Sequence, residues 1–229
     1  MKKQILTGFI LIFSLSFVKA QHKINKALKH ELDSMYVLDQ KYRILVSEKL
    51  DSAKTDSLSK IYNVSKDQLV QHLWKLQTDA DSSNVKRIEE IIAKFGYPGR
   101  SLVDTPTNEA AFFVLQHSTV IDKYLPLIEK AAKDKELPFH LYAMMKDRSL
   151  MYNKKEQIWG TQAKGMTIIN KKTGKAEFKF FIWPIADPEH VNERRKQAGF
   201  TQTVEENAKR MGLTYKVYTL QQVQNNEIE

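Results

Sequence analysis

Apolar residues recur at intervals of three and four over most of this chain, the spacing that puts them on one face of a helix. In the segment from Ile24 to about Leu50 the stripe is Leu28, Leu32, Met35, Leu38, Tyr42 and Leu45, which predicts a first amphipathic helix. The polar run 51–56 loosens or ends it. Ser65 and Gln68 stand at capping-box spacing and open a second helix through Leu69, Leu73 and Leu76. Polar residues 79–84 predict a break. Val85, Ile88, Ile91, Ile92 and Phe95 then form a third helix, stopped by Gly96 with Pro98 just beyond. Thr105-Pro106 offers a cap and first-turn pair for a helix through Ala110, Phe113, Val114 and His117. Two more helices are expected, one over 122–135, where Pro126 is tolerable only in the first turn. The other runs from Pro138 through Leu141, Met145 and Leu150 to Asn153.

The period then shortens. Residues 166–170 and 176–183 are β-rich and flank Lys171-Lys172-Thr173-Gly174-Lys175, which predicts a β-hairpin. Asp187-Pro188 caps a helix ending at Gly199, and Thr203 with Glu206 forms a second capping box before Gly212. A strand over 213–220 is a further expectation, and the polar tail from about residue 221 reads as frayed. The fold class is therefore mainly α: a single α-rich domain over 21–229 with one small antiparallel β-hairpin near residues 166–183.

The first twenty residues read differently. Lys2 and Lys3 precede an almost unbroken apolar run over 5–17, and Val18-Lys19-Ala20 ends on a small residue. That is the layout of a secretory signal peptide over 1–20, cleaved before Gln21, and it predicts an exported protein, periplasmic or secreted. The run is shorter than the roughly 20 apolar residues a spanning helix needs, so no stable membrane insertion is expected after cleavage. The chain has no cysteine, so neither a disulfide nor a lipid-modified cysteine is available, and the core must stabilise the fold alone. Removing the leader takes away three of 36 basic residues and leaves 33 against 27 acids, a net charge of +6. The excess is scattered, which argues against nucleic acid as a partner.

Several chemistries are not supported by the spacing. The six histidines (His22, His30, His72, His117, His140 and His190) show no metal-ligand spacing, and the glycines make no phosphate loop. No serine nucleophile elbow is present, and no cofactor is implied. What remains is a set of polar residues in unusual settings. His117, beside Gln116, is predicted on the apolar side of its helix, as an acid or base or as a satisfied buried ring. Asp147-Arg148 lies near the end of the helix begun at Pro138, and Arg148 at helical spacing from Leu141 and Met145 is drawn inward, where it wants a carboxylate or an anion. Gln157 and Gln162 flank Gly160-Thr161 and suit either turn architecture or hydrogen bonding to a polar ligand. Asp39 and Arg43 stand four apart, the spacing of a surface ion pair.

Taken together, six fragments carry a resemblance. They are Asp39-Gln40 with Arg43, Gly96-Tyr97-Pro98-Gly99, Gln116-His117, Asp147-Arg148, Gln157 with Gly160-Thr161-Gln162, and Pro184-Ile185 through Asp187-Pro188-Glu189, Val191 and Arg194-Arg195. In this order, across roughly residues 35–200, the chain resembles a bacterial family classed only as a domain of unknown function and found in secreted proteins of the Bacteroidetes type. It departs from that pattern at Tyr97, where tryptophan is usual, and at Ala186 and Asn192, where acids are common. The resemblance implies a shared fold and a shared site built from Gln116, His117, Asp147, Arg148, Gln162 and Arg194. It implies no activity.

Two classes of function stay open. One is an extracytoplasmic hydrolase or lyase acting on an envelope glycan or peptide. In it His117 serves as acid or base, Asp147 as its partner carboxylate, and Arg148 or Arg194 as the anion holder. The other is a non-catalytic module, its polar residues lining a site for a small polar or anionic ligand or forming a structural network. The expected catalytic pair is thus His117 and Asp147, and the expected ligand-binding set is Gln116, Arg148, Gln157, Gln162 and Arg194.

Overall fold

Asn25 opens the first helix, α1 (Lys26–Ser47), by accepting from the Leu28 amide at 3.1 Å. The computed structural model describes residues 23–48, 50–170 and 173–228; the leader read over 1–20 lies outside them. Residues 51–56 do follow the end of α1, but they also start a short helix, α2 (Ser52–Tyr62), because the Asp51 carboxylate accepts from the Lys54 amide at 2.7 Å.

The expected break at 79–84 is absent. A single helix of 30 residues, α3 (Lys66–Phe95), runs through it. Its interior holds no glycine or proline, so nothing forces a stop. Only one face of the stretch turns to α1, with Ala80 and Asn84 buried and the Asn84 amide donating to the Met35 carbonyl at 3.5 Å. Asp79, Ser82 and Ser83 stay on the solvent side of the same helix. The start was also read imperfectly. Ser65 is the N-cap, but its hydroxyl meets the Gln68 side chain at 3.1 Å and caps no backbone amide.

The Gly96-Tyr97-Pro98-Gly99 turn leads into α4 (Arg100–Val103) and is fixed from outside, with the Tyr97 hydroxyl donating to the Asn108 carbonyl at 2.7 Å. The Glu136 carboxylate accepts from the Ser101 amide at 2.8 Å. The helix expected from Thr105-Pro106 starts later. A cis bond joins those two residues, a 3-10 turn covers Thr107–Glu109, and α5 is only Ala110–Leu115. His117 therefore lies in the turn beyond the helix, exposed rather than on its apolar face.

In α6 (Ile121–Lys133) Pro126 falls in the second turn, not the first, so its missing N–H leaves the Asp122 carbonyl without the usual helical partner. The next helix, α7 (Phe139–Tyr152), ends at Asn153 as the sequence predicts. The hairpin is present too: β1 (Ala163–Ile169) pairs antiparallel with β2 (Ala176–Ile182), with Gly165 opposite Phe180 and Ile169 opposite Ala176. Beyond it come a 3-10 turn over Pro188–His190, α8 (Val191–Gln197) and α9 (Val204–Arg210). Both bonds of the Thr203–Glu206 capping box form. The Asp187 side chain does not cap; its carboxylate meets the His190 ring and the Arg194 guanidinium, each at 2.9 Å.

Residues 213–219 form no ladder, so the strand expected there is absent, and the last helix is α10 (Leu220–Gln224). The tail is not a frayed polar end. Thr219 and Gln222 form a capping box, and Val223 and Ile228 are buried beside the hairpin. Apolar side chains gather in three groups. The largest joins α1, α3, α5, α6 and α7; a second joins Ile168, Phe181 and Trp183 to the C-terminal segment; a third joins Ile182 and Ile185 to α8 and α9. The fold is mainly α with one small hairpin. Among the described residues no helix is long and apolar enough to cross a membrane.

Candidate functional site

Between α7 and β1 the chain makes a loop over 157–162 whose backbone is held almost entirely by side chains. Asp147, fully buried in α7, accepts from the amides of Ile158 at 2.7 Å and Thr161 at 3.0 Å. It also accepts from the Trp159 amide at 3.1 Å and the Thr161 hydroxyl at 3.0 Å. Burial pushes its pKa up, and these donors pull it down. Amide N–H groups can only donate, so both oxygens must act as acceptors. Gln157, also fully buried, bridges the loop ends: its amide donates to the carbonyls of Gln162 at 2.9 Å and Trp183 at 2.6 Å, and accepts from the Gln162 amide at 2.8 Å.

The carbonyls are covered from α8 and α9. Arg194 donates to Ile158 O at 3.1 Å, Arg195 to Trp159 O at 2.8 Å, and Asn207 to Gly160 O at 3.1 Å. Gly160 is required here, for its φ is 65° and a β-carbon would lie 2.7 Å from both Ile185 and Val204.

This rigid loop presents Gln162 to Arg148. The Thr161 hydroxyl that donates to Asp147 accepts from Gln162 Nε2 at 3.0 Å, which leaves Gln162 Oε1 to accept from Arg148 Nε at 3.2 Å. Arg148 Nη1 donates to the Gln116 carbonyl at 3.2 Å and meets His117 Nδ1 at 3.1 Å. An arginine cannot accept, so His117 Nδ1 is the acceptor and the neutral ring carries its proton on Nε2. The electrostatics agree. One side of the His117 residue is open to solvent while the ring is hemmed in by protein on the other; this partial burial, then repulsion from Arg43 and Arg148, pushes its pKa down to about 3.

Arg43 completes the cluster from α1. It pairs with Asp39 at 3.3 Å and with Asp81 of α3, and Asp81 also accepts from Gln77 Nε2 at 2.7 Å. Asp39 is no surface partner: it is fully buried, burial pushes its pKa up, and Arg43 and Gln40 oppose that rise. Both carboxylates are thus engaged by Arg43. Arg148 has no carboxylate at ion-pair distance among the described residues; the Gln162 and Gln116 oxygens, His117 Nδ1 and the Tyr152 hydroxyl that it meets are neutral. Burial and the nearby Arg43 push its pKa down.

The predicted residues therefore fall into two joined groups. Gln116 (through its carbonyl), His117, Arg148 and Gln162 meet directly. Asp147, Gln157 and Arg194 hold the loop behind them, and no hydrogen bond joins Asp147 to His117. Sequence reasoning missed Asp81, Gln77, Arg195 and Asn207. Gln77 and Asp81 stand four apart on α3, a spacing that shows one face, but only the structure sets that face against Arg43. Among the described residues no three His, Asp or Glu side chains gather closely enough to hold a metal ion.

Fold and cluster define a helical domain with a cation held among neutral acceptors at its surface. The chain belongs to a family of unknown function, DUF6624, whose profile matches residues 29–220. No curated protein and no solved structure matches it.

Proposed function

We propose that the Arg148 cluster binds a small anionic group, a carboxylate or a phosphate, and that this is the protein's ligand site. The observation that carries the reading is a largely buried guanidinium whose partners are all neutral. A charge taken out of water is costly unless it is paired, so the position favours an oxyanion. His117 Nε2–H and the Tyr152 phenol, an electrostatic neighbour of Arg148, supply further donors. The hydrolase or lyase reading is less well supported. A histidine with a pKa of about 3 is neutral at ordinary pH and a weak base, and Asp147 is fully occupied by the loop. We also propose export to the periplasm or beyond, on the strength of the leader pattern in residues 1–20; the N-terminus of protein recovered outside the cytoplasm should then be Gln21.

The test is the His117 ring resonance titrated by NMR against pH, with and without inorganic phosphate, which stays anionic throughout the range. A bound anion favours the imidazolium, so the pKa of about 3 should rise on binding, and affinity should rise as pH falls. Arg148→Met should weaken anion binding about tenfold or more, the scale of one lost charge-assisted contact. A His117 pKa indifferent to saturating anion, or equal affinity in Arg148→Met, would remove the proposal.

A further inference from the structure

The hairpin turns one face inward; the other is covered at Ile182 and exposed toward the turn. Ile168 and Phe181 pack inward, whereas Ile169, Phe178 and Phe180 project outward at 57%, 70% and 44% exposure. Register explains the shared face: Gly165 lies opposite Phe180, Thr167 opposite Phe178, and Ile169 opposite Ala176. The tip of the Phe178 ring lies against Gly165, where a β-carbon would come within 2.4 Å of it. Lys164 and Lys179 lie on the inward face with Phe181, Lys179 pairing with Glu177 at 3.2 Å. The sequence joining the strands holds Lys171, Lys172 and Lys175 and no acid, so the charge beside the exposed face belongs to the turn.

We propose that this hairpin face docks on an anionic lipid surface. Exposed aromatics on a small element partition into the headgroup boundary, and lysines in the adjoining turn are drawn to an anionic leaflet. A second copy of the chain is the competing occupant, and a dimer held by the same face is one outcome of the test. Docking of this kind is adsorption without a span, consistent with the absence of a membrane-crossing helix among the described residues. The face is separate from the Arg148 cluster, so either proposal stands without the other.

Flotation of the folded protein with vesicles decides it. Phosphatidylglycerol–phosphatidylcholine vesicles should carry the protein upward at 50 mM salt; pure phosphatidylcholine vesicles, or 500 mM salt, should reduce the bound fraction several-fold. Phe180→Ser and Lys175→Glu should each lower binding several-fold at unchanged melting temperature. Phe178→Ser should do the same, but it uncovers Gly165, so the other two variants carry the decision if it misfolds. No flotation with anionic vesicles, binding unaltered in Phe180→Ser and Lys175→Glu, or a dimer that those variants dissociate would each overturn the proposal.

Discussion

At the scale of single residues, the balance is between burial and partners. Asp147 is fully buried, but four donors converge on it, three of them backbone amides that have no alternative acceptor in the loop geometry. Asp147→Ala would leave all four in the interior, and a hydrogen bond to a charged group contributes about 1.5–3 kcal/mol. The losses do not simply add, and we expect about 3 kcal/mol or more, measured as a lower urea midpoint at unchanged slope. Equal stability of the variant would mean the loop is held by Gln157 and the arginines alone. His117 gives the complementary case. Its folded pKa of about 3 lies below the ordinary 6.5, so the unfolded chain takes up a proton that the folded protein refuses. Its contribution is present in full above about pH 6.5 and is lost as pH falls toward 3. The drop in stability between pH 7 and pH 4 should therefore be smaller in His117→Gln than in wild type; an identical drop would show that the ring is not held neutral.

At the scale of elements, close approach matters more than propensity. Gly99 begins α4 at a φ of −81°, which any residue can adopt, so backbone freedom is not the reason for a glycine there. Its absent side chain is. A β-carbon would stand 2.5 Å from Glu136 Cβ and 2.4 Å from the carboxylate that accepts from the Ser101 amide. Gly99→Ala should cost about 1–3 kcal/mol, the range for a forced shift in a packed site, and Glu136→Gly in the same chain, which removes the opposing β-carbon, should relieve part of it. Full additivity of the two changes would reject the contact as the cause. Such contacts mark the limit of what sequence shows. Helix period, the Gly96 stop, the Thr203–Glu206 box and the hairpin are local signals and could be read directly. The polar stretch 79–84 looked like a break because its partners, Arg43 and Met35, lie some forty residues away. The same holds for the site: adjacency flagged Gln116-His117 and Asp147-Arg148, but the division between a ligand-facing set and a loop-holding set depends on contacts from α8 and α9.

At the scale of the whole molecule, the C-terminal segment closes the hairpin layer. Val223 and Ile228 are buried against Ile168, Phe181 and Trp183, a group apart from the large helical core. The polar composition of the tail hid this, because two apolar residues among Gln, Asn and Glu give no period to read. Burying an aliphatic side chain contributes about 1.5–3 kcal/mol, so losing both would remove a substantial part of what holds the sheet, which has only two strands. The loop over 157–162 is anchored separately, through Asp147, Arg194, Arg195 and Asn207. Deleting residues 219–229 should therefore loosen the hairpin without dissolving the helical core. In hydrogen exchange, amides of β1 and β2 should lose protection by tenfold or more, while those of α3 and α7 keep theirs. Loss of protection throughout would show one cooperative unit in which the tail supports the helices as well. Unchanged protection in the hairpin would show that Val223 and Ile228 cover the sheet without stabilising it.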